Sequence, residues 1–94
     1  MTDFAELNKL FLKRNNIYRE YLYQLISAND KDEFNKTSAE LLDESHDDIG
    51  TWNETLRNNN FQVPAIVEKT WDNLYKNMCN VINISANIKT LKGF

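Results

Sequence analysis

Apolar residues return along this chain in alternating steps of three and four, a seven-residue pattern, in three runs parted by short polar breaks. The first run is Phe4, Leu7, Phe11, Tyr18, Tyr21, Leu22 and Leu25, interrupted in its seven-residue rhythm only by Arg14. This spacing keeps one stripe of an α-helix apolar and leaves the rest to water. Asp3 with Glu6 three residues later has the form of a capping box, in which each side chain takes up a free N–H of the first turn. A helix is therefore predicted from about Asp3 to Ala28. Leu10, Leu12, Ile17 and Ile26 widen its apolar stripe beyond a simple seam.

Ser27-Ala28-Asn29-Asp30 ends that segment and opens the next, with Asp30 and Glu33 again placed as a cap and Asp32 suited to the positive end of the helix dipole. Phe34, Leu41, Leu42, Ile49, Trp52 and Leu56 follow, and Ser38 and Ser45 fill small positions on the same face. Glu40, Asp43, Glu44, Asp47 and Asp48 are assigned to the opposite, solvated face. Gly50 costs about 1 kcal/mol against Ala inside a helix, which allows a kink; one bent helix to about Leu56 is the expectation. Arg57-Asn58-Asn59-Asn60 breaks the pattern, and Pro64 suits a helix start because its missing N–H is no loss there. The third run is Val67, Trp71, Leu74, Met78, Val81, Ile82, Ser85 and Ile88, with Ile66, Tyr75 and Ile84 broadening it, and Gly93 is placed to end it. The expected fold is all-α: three long amphipathic helices in an antiparallel up-down-up bundle, forming a single domain over residues 1–94.

Composition removes several classes of function. Only two glycines and one proline occur in 94 residues, too few for the frequent turns of an all-β chain. Hydrophobic residues at 41% and charged ones at 27% suit a folded chain rather than a disordered one. A formal net charge of −3 and an isoelectric point near 5.0 argue against nucleic acid as a partner. No run approaches the roughly 18 apolar residues of a membrane span. The first residues lack the basic and apolar blocks of a secretory signal, and the single cysteine, Cys79, permits no internal disulfide, so a cytoplasmic setting is expected. The sequons at Asn35, Asn53 and Asn83 are then read as chance among fourteen asparagines.

Candidate chemistry is sparse. His46 lies near Asp43 and Asp47, but a bridged metal site needs a second such motif and no other histidine exists, so a solvated acidic face is the reading and no metal or cofactor is expected. Cys79 has only Lys76 as a nearby cation and is assigned to packing. No nucleophile elbow, phosphate loop or paired acids occur, so the chain is read as a non-enzyme. The aromatic load is more telling: five Phe, four Tyr and two Trp accompany more aliphatic side chains than a small bundle is expected to hide. Surplus apolar surface marks an interface. Phe4, Leu7, Phe11, Tyr18, Tyr21, Leu22 and Leu25 of the first helix and Trp71, Leu74 and Met78 of the third are taken as the binding or self-association residues. Charged residues at Phe11 and Tyr18 are expected to abolish association and leave much of the helicity.

Two stretches resemble a known family. Ile26-Ser27-Ala28-Asn29-Asp30-Lys31-Asp32-Glu33-Phe34, followed by Ser38-Ala39-Glu40-Leu41, looks like the inter-helix element of bacterial phasins. The run from Val67 to Met78 is similar to the last phasin helix, and the similarity spans about Leu7 to Asn87. Phasins are small helical proteins that coat polyhydroxyalkanoate granules. The resemblance implies a granule coat without catalytic residues, with the granule surface and further copies of the chain as partners. The alternative from the residues alone is a small adaptor or inhibitor that binds a partner protein through a surplus apolar helix face.

Overall fold

The computed structural model describes residues 2–94; Met1, counted in the expected domain, lies outside the described residues. Three α-helices form: α1 (Phe4–Ser27), α2 (Lys31–Asn58) and α3 (Ala65–Lys92). The all-α, three-helix expectation is met. The ends follow local chemistry. Asp3 accepts a hydrogen bond from the Glu6 N–H at 3.1 Å, and Asp30 accepts from the Glu33 N–H at 2.8 Å. The return half of the box is altered: Glu33 accepts from the Asn29 N–H at 3.3 Å, one residue before the cap, and Glu6 turns to Lys9 instead. Pro64 is the residue before α3 rather than its first turn, and its carbonyl accepts from the N–H groups of Val67 and Glu68. Gly93, at φ 72°, closes α3 in the left-handed conformation, with the Phe94 N–H on the Lys89 carbonyl and the Gly93 N–H on that of Thr90.

Helix α2 runs unbroken through Gly50 to Asn58, two residues past the expected end. Gly50 is exposed, so the missing side chain costs conformational entropy but leaves no gap in packing.

Helices α1 and α3 run in the same direction and pack closest, with α2 antiparallel to both. Direction follows from the cross-links. Asn77 donates to the backbone carbonyl and side-chain oxygen of Asn15 at 3.2 and 3.1 Å, halfway along α1 and α3. Further along the same direction, Lys92 donates to the carbonyls of Ile26 and Ala28 at 2.6 and 2.7 Å. That contact brings a cation and donors to the end of α1, where carbonyls lack helical partners. The molecule is a rod of 46 × 18 × 17 Å.

Heptad positions fill the interior. The core comprises Phe11, Tyr18 and Leu25 of α1, Phe34, Leu41 and Trp52 of α2, and Val67, Trp71, Leu74, Met78 and Val81 of α3, with Ala28 at the first turn. Trp52 and Trp71 stack with centroids 5.3 Å apart and planes at 15°, and Phe11 tilts against both at 5.9 and 5.2 Å. At the other end Phe34 meets Phe94 at 5.5 Å, so the chain terminus is drawn into the core.

Candidate functional site

The ten residues expected to bind outward divide into two groups. Phe11, Tyr18, Leu25, Trp71, Leu74 and Met78 are buried in the protomer's own core, with Phe11 1% and Tyr18 0% exposed. Phe4, Leu7, Tyr21 and Leu22 are half-buried against that core. The six buried ones are closed to a partner while the bundle stays folded, and the four half-buried ones keep part of their surface outside. Charges at Phe11 and Tyr18 would enter this core, so they bear on the fold as well as on association. A strict seven-residue stripe with two companion helices available is satisfied inside one chain.

Apolar surface nevertheless remains, on other residues: Leu10, Leu12, Tyr23, Ile26, Leu42, Phe61, Ile66, Tyr75, Ile84 and Leu91 are exposed. Their placement is uneven. At about 3.6 residues per turn, Leu12, Tyr23 and Ile26 lie on the flank of α1 that carries Asn15, and Ile66, Ile84 and Leu91 on the flank of α3 that carries Asn77. Asn15 and Asn77 bond each other, so both flanks border one seam. Tyr23, 68% exposed, lies level with Ile84, and Ile26 lies close to Leu91, 86% exposed. Leu12 and Ile66 continue the strip toward the other end. Asn8, seven residues before Asn15, keeps its Oδ1 buried without a hydrogen-bond partner on this same side.

Charge is segregated with equal clarity. Helix α2 holds eight carboxylates (Asp32, Glu33, Glu40, Asp43, Glu44, Asp47, Asp48 and Glu54) against Lys31, Lys36 and Arg57. Helices α1 and α3 together hold eight cations against Glu6, Glu20, Glu68 and Asp72. Of those cations Arg14 pairs with α2, Lys89 lines the groove between α2 and α3, and Lys92 bonds the end of α1, so Arg19, Lys69 and Lys76 are the ones toward the α1–α3 seam, and the acidic face is on α2.

A polar cluster interrupts the core between α1 and α2. Arg14 donates from Nε to Asp48 at 3.0 Å and from an Nη to Glu44, while the Tyr18 hydroxyl donates to the same Asp48 oxygen at 2.5 Å. Arg14 also lies over the Tyr18 ring, 5.7 Å from its centroid. Asp48 was expected on the solvated face; it is buried, because it stands seven residues after Leu41 and seven before buried Thr55. Burial pushes the Tyr18 hydroxyl pKa well above its ordinary value, and the bond to Asp48 and its charge push the same way. Burial works against the Arg14 charge, but the bonds to Asp48 and Glu44 outweigh it and leave the guanidinium more basic than usual. Burial and the nearby Glu44 and Glu40 raise Tyr21 as well. The Tyr18 hydroxyl and the Arg14 guanidinium meet Asp48 in the interior, Glu44 closes the cluster from the partly exposed side, and the contacts tie α1 to α2.

A groove of about 220 Å³ opens between α2 and α3 over Phe34, Leu41, Leu42 and Ile82, where Ser38 and Ser85 meet at 3.3 Å and are too small to fill the gap. Cys79 is free and half-buried. Among the described residues no three His, Cys, Asp or Glu side chains gather as a metal cage, and no helix is long and apolar enough to cross a membrane.

Comparison with family models, curated proteins and solved structures finds no match to this chain.

Proposed function

We propose that this protein is a non-enzymatic adaptor that docks another helix along the outer α1–α3 face. One observation carries the reading: the exposed apolar residues recur there at helical spacing, Ile26 fourteen residues after Leu12 and Leu91 seven after Ile84, on two parallel rods. A third rod lying in such a seam meets apolar side chains of both helices, most densely where Tyr23 and Ile26 stand beside Ile84 and Leu91. Burying a few hundred Å² of this face is worth several kcal/mol at about 25 cal/mol per Å², before the costs of association.

The second reading is a phasin-like coat on polyhydroxyalkanoate granules, with self-association on the particle. The arrangement that favours it is the opposition of faces: the apolar seam turned to polymer leaves acidic α2 outward, and like-charged coats repel one another. One experiment separates the readings. The full chain and its Tyr23→Asp/Ile84→Asp variant are tested for sedimentation with polyhydroxyalkanoate beads, for binding to helical partner peptides, and for oligomeric state. An adaptor binds peptide one to one and leaves beads in the supernatant; a coat sediments with beads and ignores peptide. A variant that behaves like the unaltered chain in every arm removes the outer face from both readings.

A further inference from the structure

The geometry points to an occupant of stated chemistry: the outer α1–α3 face takes an amphipathic helix of a partner protein whose apolar stripe is flanked by carboxylates. This inference rests on the adaptor reading and adds the partner's charge. Exposed Arg19 lies on the same flank of α1 as Leu12 and Tyr23, between them in height. Lys69 and Lys76 edge the strip on α3. Between the apolar residues the seam carries asparagines, including Asn8, whose buried Oδ1 is unpartnered. None of the four carboxylates of α1 and α3 shares this flank at about 3.6 residues per turn: Glu6 and Glu20 turn away on α1, Glu68 and Asp72 on α3. The strip is thus apolar and amide-rich, with Arg19 on it and Lys69 and Lys76 along its α3 edge, where Asp72 is their outer neighbour.

Other occupants match it less well. A second copy placed seam to seam sets the Arg19, Lys69 and Lys76 side of one copy against the same side of the other, with no carboxylate on either strip, and like charges at an interface are costly. A second copy offering α2 supplies carboxylates, but α2 spends its apolar stripe inside its own bundle. An uncharged polymer leaves the cations without partners. A helix bearing Glu or Asp beside apolar anchors seven residues apart meets both features. Rim ion pairs are individually weak, so burial supplies the affinity and charge selects the partner and its direction.

The test uses synthetic helices of about 21 residues, roughly 30 Å long, with leucines at heptad positions and either Glu, Lys or Gln beside them, titrated against the full chain at low and high salt. The Glu peptide is expected to bind about tenfold more tightly than the Lys peptide, with the gap narrowing in high salt. In the Arg19→Glu/Lys69→Glu/Lys76→Glu variant the preference reverses, and Tyr23→Asp/Ile84→Asp weakens all three peptides. Equal binding of the Glu and Lys peptides overturns the acidic partner while leaving the face in place. Full peptide binding by the Tyr23→Asp/Ile84→Asp variant overturns the face and the adaptor reading together. Binding to polymer beads alone, or dimerisation that excludes every peptide, overturns this inference in favour of the polymer or the second copy.

Discussion

Tyr18 donates its single O–H to a carboxylate that Arg14 also holds, and both ends of this contact are shut off from water. Ionising the phenol there sets a second negative charge against Asp48, so the folded chain delays an ionisation that the unfolded chain undergoes near pH 10.0. A folded pKa raised above the unfolded one gives stability that is complete below the unfolded value and is lost as pH climbs beyond it. Tyr18→Phe is expected to cost about 1–2 kcal/mol at pH 8. That deficit should shrink between about pH 10 and pH 11.5, because only the unaltered chain has this contribution to lose. Urea midpoints of the two chains across that range check the sign, and a constant gap contradicts it. Gly50 tests the opposite kind of residue, one with no neighbours. A Cβ added there meets nothing within 4 Å, so Gly50→Ala should stabilise by about 0.5–1 kcal/mol and raise the melting temperature by a few degrees.

Between elements, the decisive contrast is a charged layer set in an apolar seam. Arg14 and Asp48 occupy heptad positions of antiparallel neighbours, and their side chains are only 14% and 12% exposed. Removing one partner strands the other, so Arg14→Met should cost about 3–5 kcal/mol. Replacing the whole layer, Arg14→Met with Tyr18→Phe and Asp48→Leu, should recover most of that loss, since apolar groups of similar size need no partner. Thermal unfolding of the single and triple variants decides; a triple variant weaker than the single one would mean that the layer contributes net stability. The layer has a second consequence: a slide of α2 along α1 by one turn still leaves an acid for Arg14, since Glu40, Glu44 and Asp48 follow at four-residue steps, but it takes Asp48 from both Arg14 and Tyr18. Half of this was visible in the sequence. Arg14 announced itself as the one break in the first stripe, whereas Asp48 was hidden within an acidic run. Its spacing from Leu41 was the available signal, and adjacent Asp47 masked it.

For the whole molecule, stability and recognition reside on different residues. A domain of this size is held by about 5–15 kcal/mol, and a charge forced into the Phe11 site costs a large part of that. Phe11→Asp should therefore abolish the cooperative melt, while Tyr23→Asp/Ile84→Asp should keep it within about 1 kcal/mol, as exposed substitutions do. Circular dichroism on heating separates these outcomes; an unfolded Tyr23→Asp/Ile84→Asp variant would place those residues in the core. The ends of the rod are tied by chemistry that spacing does not reveal. Lys92 reaches the carbonyls of Ile26 and Ala28, and Asn59 donates to Thr2 at 2.9 Å. Both contacts join residues more than 55 positions apart, and a long flexible side chain near a terminus carries no mark of its destination.

Periodicity, caps and breakers determined the number of helices, their limits to within two residues and the stripe each one buries, because these depend on backbone hydrogen bonding and on neighbours three or four residues away. Which apolar residues a partner can reach was settled only by tertiary structure. The heptad residues Phe11, Tyr18, Leu25, Trp71, Leu74 and Met78 look most available in a lone helix, yet they meet one another across the bundle and vanish from the surface. Leu12, Ile26 and Ile84 show in the sequence as residues that widen a stripe, without a sign of where they lead, and the parallel pairing of α1 with α3 lines them with Tyr23 and Leu91 along one seam. A stripe is a property of one helix, whereas a face exists only once two helices have chosen their direction and register.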